Sequence, residues 1–199
     1  MSTLKSSAED LTLDANGSGN DIILQSNGSN VGTLTAEGVL TATSFAGSGA
    51  SLTGLTASQM PAGSVIQVVT SYTSTEVAST SASYADTGLS CAITPSATSS
   101  KVLVLAHQSF GKTAYNTQVD ADLLKDSSTV VSQWLNDDVR TGDATALACP
   151  PAALVYLDSP STTSATTYKT QFRNAAATGQ VLANTNNGAS KIVLMEIAG

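Results

Sequence analysis

Asp10-Leu11-Thr12-Leu13-Asp14-Ala15-Asn16-Gly17-Ser18 returns eleven residues later as Asp21-Ile22-Ile23-Leu24-Gln25-Ser26-Asn27-Gly28-Ser29, with the aspartate, the apolar residues and Asn-Gly-Ser in register. Each copy alternates its side chains as the two faces of a strand require, and Asn-Gly is the pair that enters the left-handed backbone region most readily. The unit therefore reads as a strand closed by a tight turn. A third, looser copy covers residues 31–40.

Outward from this repeat, Leu11, Leu13, Ile22, Leu24, Leu34, Val39 and Leu40 are too few to give about fifty residues a core of their own, and an isolated hairpin is marginal in water. Three chains wound about one axis would set these sparse apolar rows against each other and pair the open strand edges. The sequence thus predicts a homotrimeric, glycine-rich β stalk over residues 10–57. It closes with Ala42-Thr43-Ser44-Phe45-Ala46-Gly47-Ser48-Gly49-Ala50-Ser51-Leu52-Thr53-Gly54-Leu55.

Residues 58–63, ending in Pro61-Ala62-Gly63, read as a linker. From residue 64 to 199, short apolar segments recur every ten to fifteen residues: 64–70, 89–94, 101–108, 118–124, 129–135, 153–157, 166–173, 180–183 and 191–197. Clusters of Gly, Pro, Asn, Asp and Ser separate them, which is the signature of a sandwich or barrel. No segment keeps a helical period. The expected fold is all-β: a short intertwined trimeric stalk followed by a β-sandwich, jelly-roll-like head.

Composition narrows the function. Charged residues make up 12% and the net charge is −7, with no clustering of the eight basic residues, so the counterion-release attraction that drives nucleic-acid binding is missing. The start Met1-Ser2-Thr3-Leu4-Lys5 has no signal-peptide run, and the longest apolar stretch, 144–157, is broken by Pro150 and Pro151. Neither nucleic acid nor membrane insertion is expected. Cys91 and Cys149 leave one disulfide open, but they are not in a C-x-x-C pair and read as buried thiols.

Two stretches resemble known proteins. Residues 42–55 are similar to the "ATSFxGxGxxLTGL" segment at the shaft-to-head junction of tailed-phage fibres, and the preceding repeat resembles their "DLTLDANG…DIIL" shafts. Residues 61–69, 84–90, 93–104 and 194–199 resemble the C-terminal domain of marine and cyanobacterial phage structural proteins. The resemblance implies a virion structural protein, assembled in the host cytoplasm and attached by residues 1–9 to other tail or baseplate proteins. It also implies a head that contacts a host surface glycan or protein. The alternative is a head-decoration or baseplate protein with a purely structural role.

Chemistry was sought among the remaining motifs. Gly111-Lys112-Thr113 ends like a P-loop, but Ala106 stands where its first glycine is required. His107 is the sole histidine and the two cysteines are distant, which leaves a same-chain zinc site short of ligands; one His per chain could meet on a three-fold axis, but at the end of the apolar strand 102–106 it reads as packed, and no Gly-x-Ser-x-Gly elbow accompanies it for a Ser-His-Asp triad. Asp120 and Asp122 share one face of a strand, as a glycosidase pair would, but alternation with Val119, Ala121 and Leu123 reads as a solvated face. No cofactor, metal or catalytic residue is expected, and the protein is read as non-enzymatic. For receptor contact the candidates are Trp134, Asn136, Asp137, Asp138 and Arg140, an aromatic beside amides and charges suited to sugar, with Tyr115 and Asn116 as a second patch. Trp134 reads equally as a core residue. Asn16-Gly17-Ser18 and Asn27-Gly28-Ser29 have the form of glycosylation acceptors but read as turns.

Overall fold

The computed structural model describes residues 21–42, 59–114, 117–126, 129–135, 149, 151–176, 178–185 and 189–199. Contacts divide the chain into two units, Met1–Thr53 and Gly54–Gly199.

In the first unit, β1 (Ile22–Ser26), β2 (Ser29–Leu34) and β3 (Leu40–Ala42) form an antiparallel sheet in that order. Asn27 and Gly28 have φ of 51° and 78°, the paired left-handed conformations of the turn whose twist matches a hairpin. Ser26 faces Ser29 across it. Pairing places Ile22, Leu34 and Leu40 on one face. Leu24, Leu34 and Leu40 remain 51%, 40% and 54% exposed, so this face has no cover among the described residues. The first repeat copy and residues 43–58 lie outside the described residues.

The second unit is an antiparallel β-sandwich with no helix among the described residues. Its strands are β4 (Val65–Thr73), β5 (Val77–Ser79), β6 (Ala85–Ile93), β7 (Lys101–Gln108), β8 (Phe110–Lys112), β9 (Val119–Lys125), β10 (Thr129–Leu135), β11 (Ala152–Asp158), β12 (Thr166–Asn174), β13 (Val181–Ala183) and β14 (Ser190–Ile197). One sheet runs β11-β7-β14-β4 and the other β10-β9-β12-β6. Counting only these eight long strands, the first lies beside the last, the second beside the seventh, the third beside the sixth and the fourth beside the fifth. The successive pairs fall in alternate sheets, which is the rolled-up hairpin of a jelly roll.

The two faces of β12 show why the sequence folds this way. Thr166, Tyr168, Thr170, Phe172 and Asn174 point inward and are buried, while Lys169, Gln171 and Arg173 point outward. Opposite them, Val102, Val104, Ile192 and Leu194 complete the core. A second cluster, Phe110, Val119, Ala121, Cys149, Phe172, Val181 and Ala183, fills one end of the sandwich. That end is capped by a third sheet, β5-β13-β8, made from the connections between the long strands. The sequence reading placed all eight long strands and β13; β5 and β8, three residues each, were missed.

At the other end, Glu196 is fully buried on β14. Its Oε1 accepts from Ser96 N at 2.7 Å, Ser96 Oγ at 2.6 Å and Ser100 Oγ at 2.7 Å, and its Oε2 accepts from Gln67 Nε2 at 2.6 Å. Burial pushes the carboxyl up, but the hydrogen bonds from Ser96, Gln67 and Ser100 outweigh it, leaving the group below the usual range. A carboxyl lowered in the fold adds stability above its unfolded pKa and loses it as pH falls through the folded value. The stabilisation is therefore present at neutral pH and lost in acid. Glu196→Gln places an amide N–H₂ against Gln67, so the expected result is a lower urea midpoint at pH 7 and a gap to the parent that narrows towards pH 3.

Candidate functional site

Of the seven residues singled out for receptor contact, only Trp134 is described; Tyr115, Asn116, Asn136, Asp137, Asp138 and Arg140 lie outside the described residues. The strand ends that flank them share one end of the sandwich. Leu135 pairs with Ala121 near the start of β9, Ala152 pairs with Gln108 at the end of β7, and Cys149 N donates to Phe110 O at 3.3 Å. Ala175 N donates to Gln118 O at 3.1 Å, bringing the end of β12 to the same place. All four connections β4 to β6, β7 to β9, β10 to β11 and β12 to β14 leave from this end. The chain enters the sandwich at the other end, where Gly63 N donates to Ala198 O and Ala198 N to Ser64 O, both at 2.8 Å.

Trp134 itself packs into the core. It is half-buried against both clusters and meets Phe110 edge to face, ring centres 5.9 Å apart and planes at 76°. Its buried indole Nε1 finds no acceptor among the described residues.

The connection-bearing end is held by Asn184, which sequence reasoning did not identify. Asn184 is 1% exposed, and its left-handed φ of 60° is one that asparagine tolerates. Its Nδ2 donates to Thr75 O at 2.9 Å and Thr87 O at 2.7 Å, and its Oδ1 accepts from Gln108 Nε2 at 2.9 Å. Its backbone N donates to Ser109 O at 2.8 Å. Its side chain thus ties the β12–β14 connection to the β4–β6 connection, to β6 and to the end of β7, and its backbone adds Ser109. An Asn next to a turn was the only available signal, and nothing local names its distant partners.

Asp120 and Asp122 are not a solvated face. They are 1% and 3% exposed. Asp120 Oδ2 accepts from Arg173 Nε and Nη2 at 3.0 and 2.9 Å, and its Oδ1 accepts from Gln118 Nε2 at 3.0 Å. Gln171 Nε2 donates to Asp122 Oδ2 at 3.2 Å. Arg173 also lies over the Tyr84 ring, 4.8 Å from its centre, and burial together with the Asp122 charge pushes the Tyr84 phenol up to about 12. Arg173, Gln118 and Gln171 thus occupy three of the four carboxylate oxygens, and the fourth, Asp122 Oδ1, is buried without a partner among the described residues. The sequence reading failed here because the partners come from β12, some fifty residues on.

The two sheets are also joined by Asp158. Lys125 Nζ approaches its Oδ2 at 3.0 Å and Tyr168 Oη donates to the same oxygen at 2.6 Å. Burial first, and then Asp158, hold the Tyr168 phenol well above its ordinary range. Gly111 and Lys112 lie buried in strand β8, and exposed His107 is on the outer side of β7. Cys91 and Cys149 are free, buried thiols in separate clusters; burial raises both, opposed at Cys149 by Lys112. Among the described residues no three His, Cys, Asp or Glu side chains gather to hold a metal, and no helix is long and apolar enough to cross a membrane.

These features define the class: an all-β protein whose larger unit is an antiparallel jelly-roll sandwich, tied at one end by an asparagine and at the other by a glutamate. No family model matches the sequence, and no curated protein matches it. Among solved structures, the chain is similar to the one described as the crystal structure of the infectious bursal disease virus VP2 subviral particle. The TM-score is 0.44 and the identity 17%, over 67% of this chain and 33% of that one. The chain thus spans about a third of the length of that solved protein. At this level of likeness no residue's role is transferred.

Proposed function

We propose that the chain is a virion structural protein, a homotrimeric tail fibre of a tailed phage whose jelly-roll head contacts the host surface. The observation that carries this reading is the polarity of the head. The chain enters beside Ile197 and Ala198, and the strand ends flanking every candidate contact residue lie at the opposite end. A domain held at one end and presenting its connections at the other suits a fibre tip. The apolar face of the first unit, without cover among the described residues, supports three chains winding together. Residues 1–9 attach the fibre to tail or baseplate proteins, and the head meets a host glycan or protein with three equivalent sites that act by avidity. The role needs no catalysis, cofactor, metal, nucleic acid or membrane insertion.

Light scattering on the purified chain is expected to give about three times the 20.0 kDa protomer. Alanine replacement of Asn136, Asp137, Asp138 and Arg140 together is expected to lower adsorption to host cells at least about tenfold while the mass stays unchanged, because avidity multiplies a loss at each tip. Unchanged adsorption with assembly intact would favour the head-decoration or baseplate role instead.

A further inference from the structure

The outer faces of the two sheets differ in kind. On the β10-β9-β12-β6 sheet the outward positions carry Asp86, Asp120, Asp122, Lys169, Gln171 and Arg173, joined by ion pairs and hydrogen bonds, with apolar Leu124 and Val130 to one side. The central outward positions of the β11-β7-β14-β4 sheet form two rows that run straight across all four strands, apolar except for Thr70 at the end of the second. One row is Leu157, Leu103, Met195 and Val68. The next is Val155, Leu105, Val193 and Thr70. Val155 is 70% exposed, Leu157 52% and Val68 51%. Basic residues occur only beyond these rows, Lys101 towards one end and His107 with Lys191 towards the other.

We infer that this outer face is an interface between copies of this chain, so that the heads pack on each other through their β11-β7-β14-β4 sheets. At about 4.8 Å between strands and about 3.3 Å per residue, four strands of seven residues present roughly 440 Å² of flat footprint. Two such faces together bury on the order of 900 Å², close to the about 1,000 Å² at which specific association begins. The central rows contain no charge, and Lys101, His107 and Lys191 fall at the rim of the footprint, where they keep their water. A flat pleated face packs against another at about 10 Å, as sheets do in a sandwich. Such a face offers sugars almost no hydrogen-bonding group and small molecules no concavity. A surface this apolar also needs cover as soon as the chain folds, and the partner present at equal concentration at that moment is another copy. The inference does not depend on the tail-fibre reading or on a particular number of copies.

The test uses the full chain carrying Val155→Cys, or, as control, Ser90→Cys on the exposed outward side of β6, with the native thiols buried. Labelling by a hydrophilic maleimide is followed at a concentration where light scattering has fixed the mass. Position 155 is expected to react at least about tenfold more slowly than position 90 in an oligomer. Adding Leu157→Lys to the Val155→Cys chain is expected to restore the control rate, with circular dichroism showing the fold retained. Equal rates at 155 and 90 in an oligomer overturn the inference and leave a stalk-held trimer standing. A monomeric mass overturns it whatever the rate, since slow labelling would then be shielding by the chain itself. Slow labelling that persists with Leu157→Lys overturns it too. Protection at 155 in an oligomer other than a trimer sustains it and counts against the trimeric fibre alone.

Discussion

Replacing Asn184 with leucine is expected to cost the head about 3–5 kcal/mol of unfolding free energy, enough to remove a large share of a typical domain's stability. The loss has two parts. Leucine leaves the carbonyls of Thr75 and Thr87 and the Nε2 of Gln108 without the partner that now meets them at 2.7–2.9 Å. Gln108 is fully buried and its Oε1 already has no partner among the described residues, so its amide would be stranded entirely. The second part is backbone strain, because a leucine held at φ 60° costs about 1–2 kcal/mol where asparagine and glycine cost less. Asn184→Gly separates the two, since it forgoes the hydrogen bonds but tolerates the conformation. Urea unfolding at one fixed protein concentration should rank the parent above the glycine variant and the glycine variant above leucine. A leucine variant within about 0.5 kcal/mol of the parent would mean that the connections are held by something else.

Phe172→Ala is the second large effect, expected at about 3–5 kcal/mol. The ring is fully enclosed among Phe110, Val119, Ala121, Val181 and Ala183, contributed by three other strands, so the space it vacates has walls that cannot close together. The sum of lost transfer energy and residual cavity sets the size of the loss. Tyr168→Phe, two turns of the pleat away, keeps its ring and gives up only the bond to Asp158; it should cost about 1–2 kcal/mol. If the two variants proved equally stable, the end cluster would be loosely packed. The candidate contact segments would then rest on a softer base than the burial of Phe172 indicates.

Much of the head was legible because its strands are set by local pattern. The outward Lys169, Gln171 and Arg173 of β12 alternate with buried Tyr168, Thr170 and Phe172, and period two is visible in any stretch of that length. The Asn27-Gly28 turn was equally plain, since its chemistry is contained in two residues. The nested order of the strands was not readable, because which strand pairs with which is decided by contacts across the whole chain. For the same reason Asp120 and Asp122 looked solvated, their guanidinium and amide partners being supplied from β12. The continuous apolar runs Val102–Ala106 and Ile192–Met195 signalled strands with apolar residues on both sides. At the candidate site, sequence chemistry could nominate an aromatic and its polar neighbours, but Trp134 serves packing because Phe110 reaches it from β8, a strand too short to be seen in the pattern.

The neighbouring positions of β4 and β14 have a mechanical consequence. The chain enters the head through β4, an edge strand bonded to β14 in register from Thr73–Ser190 down to Gln67–Glu196, with one shift before the last pair, Val65–Ile197. A pull applied at Gly63 and resisted at the opposite, connection-bearing end runs along these strands, so the rungs of the ladder share the tension in shear instead of opening one after another like a zipper. Glu196, bonded both to Gln67 on β4 and to Ser96 and Ser100 beside β7, braces the point where that tension enters. The head is thereby built to bear load along its length, and its weakest direction is a sideways peel of β4 from the edge of the sheet.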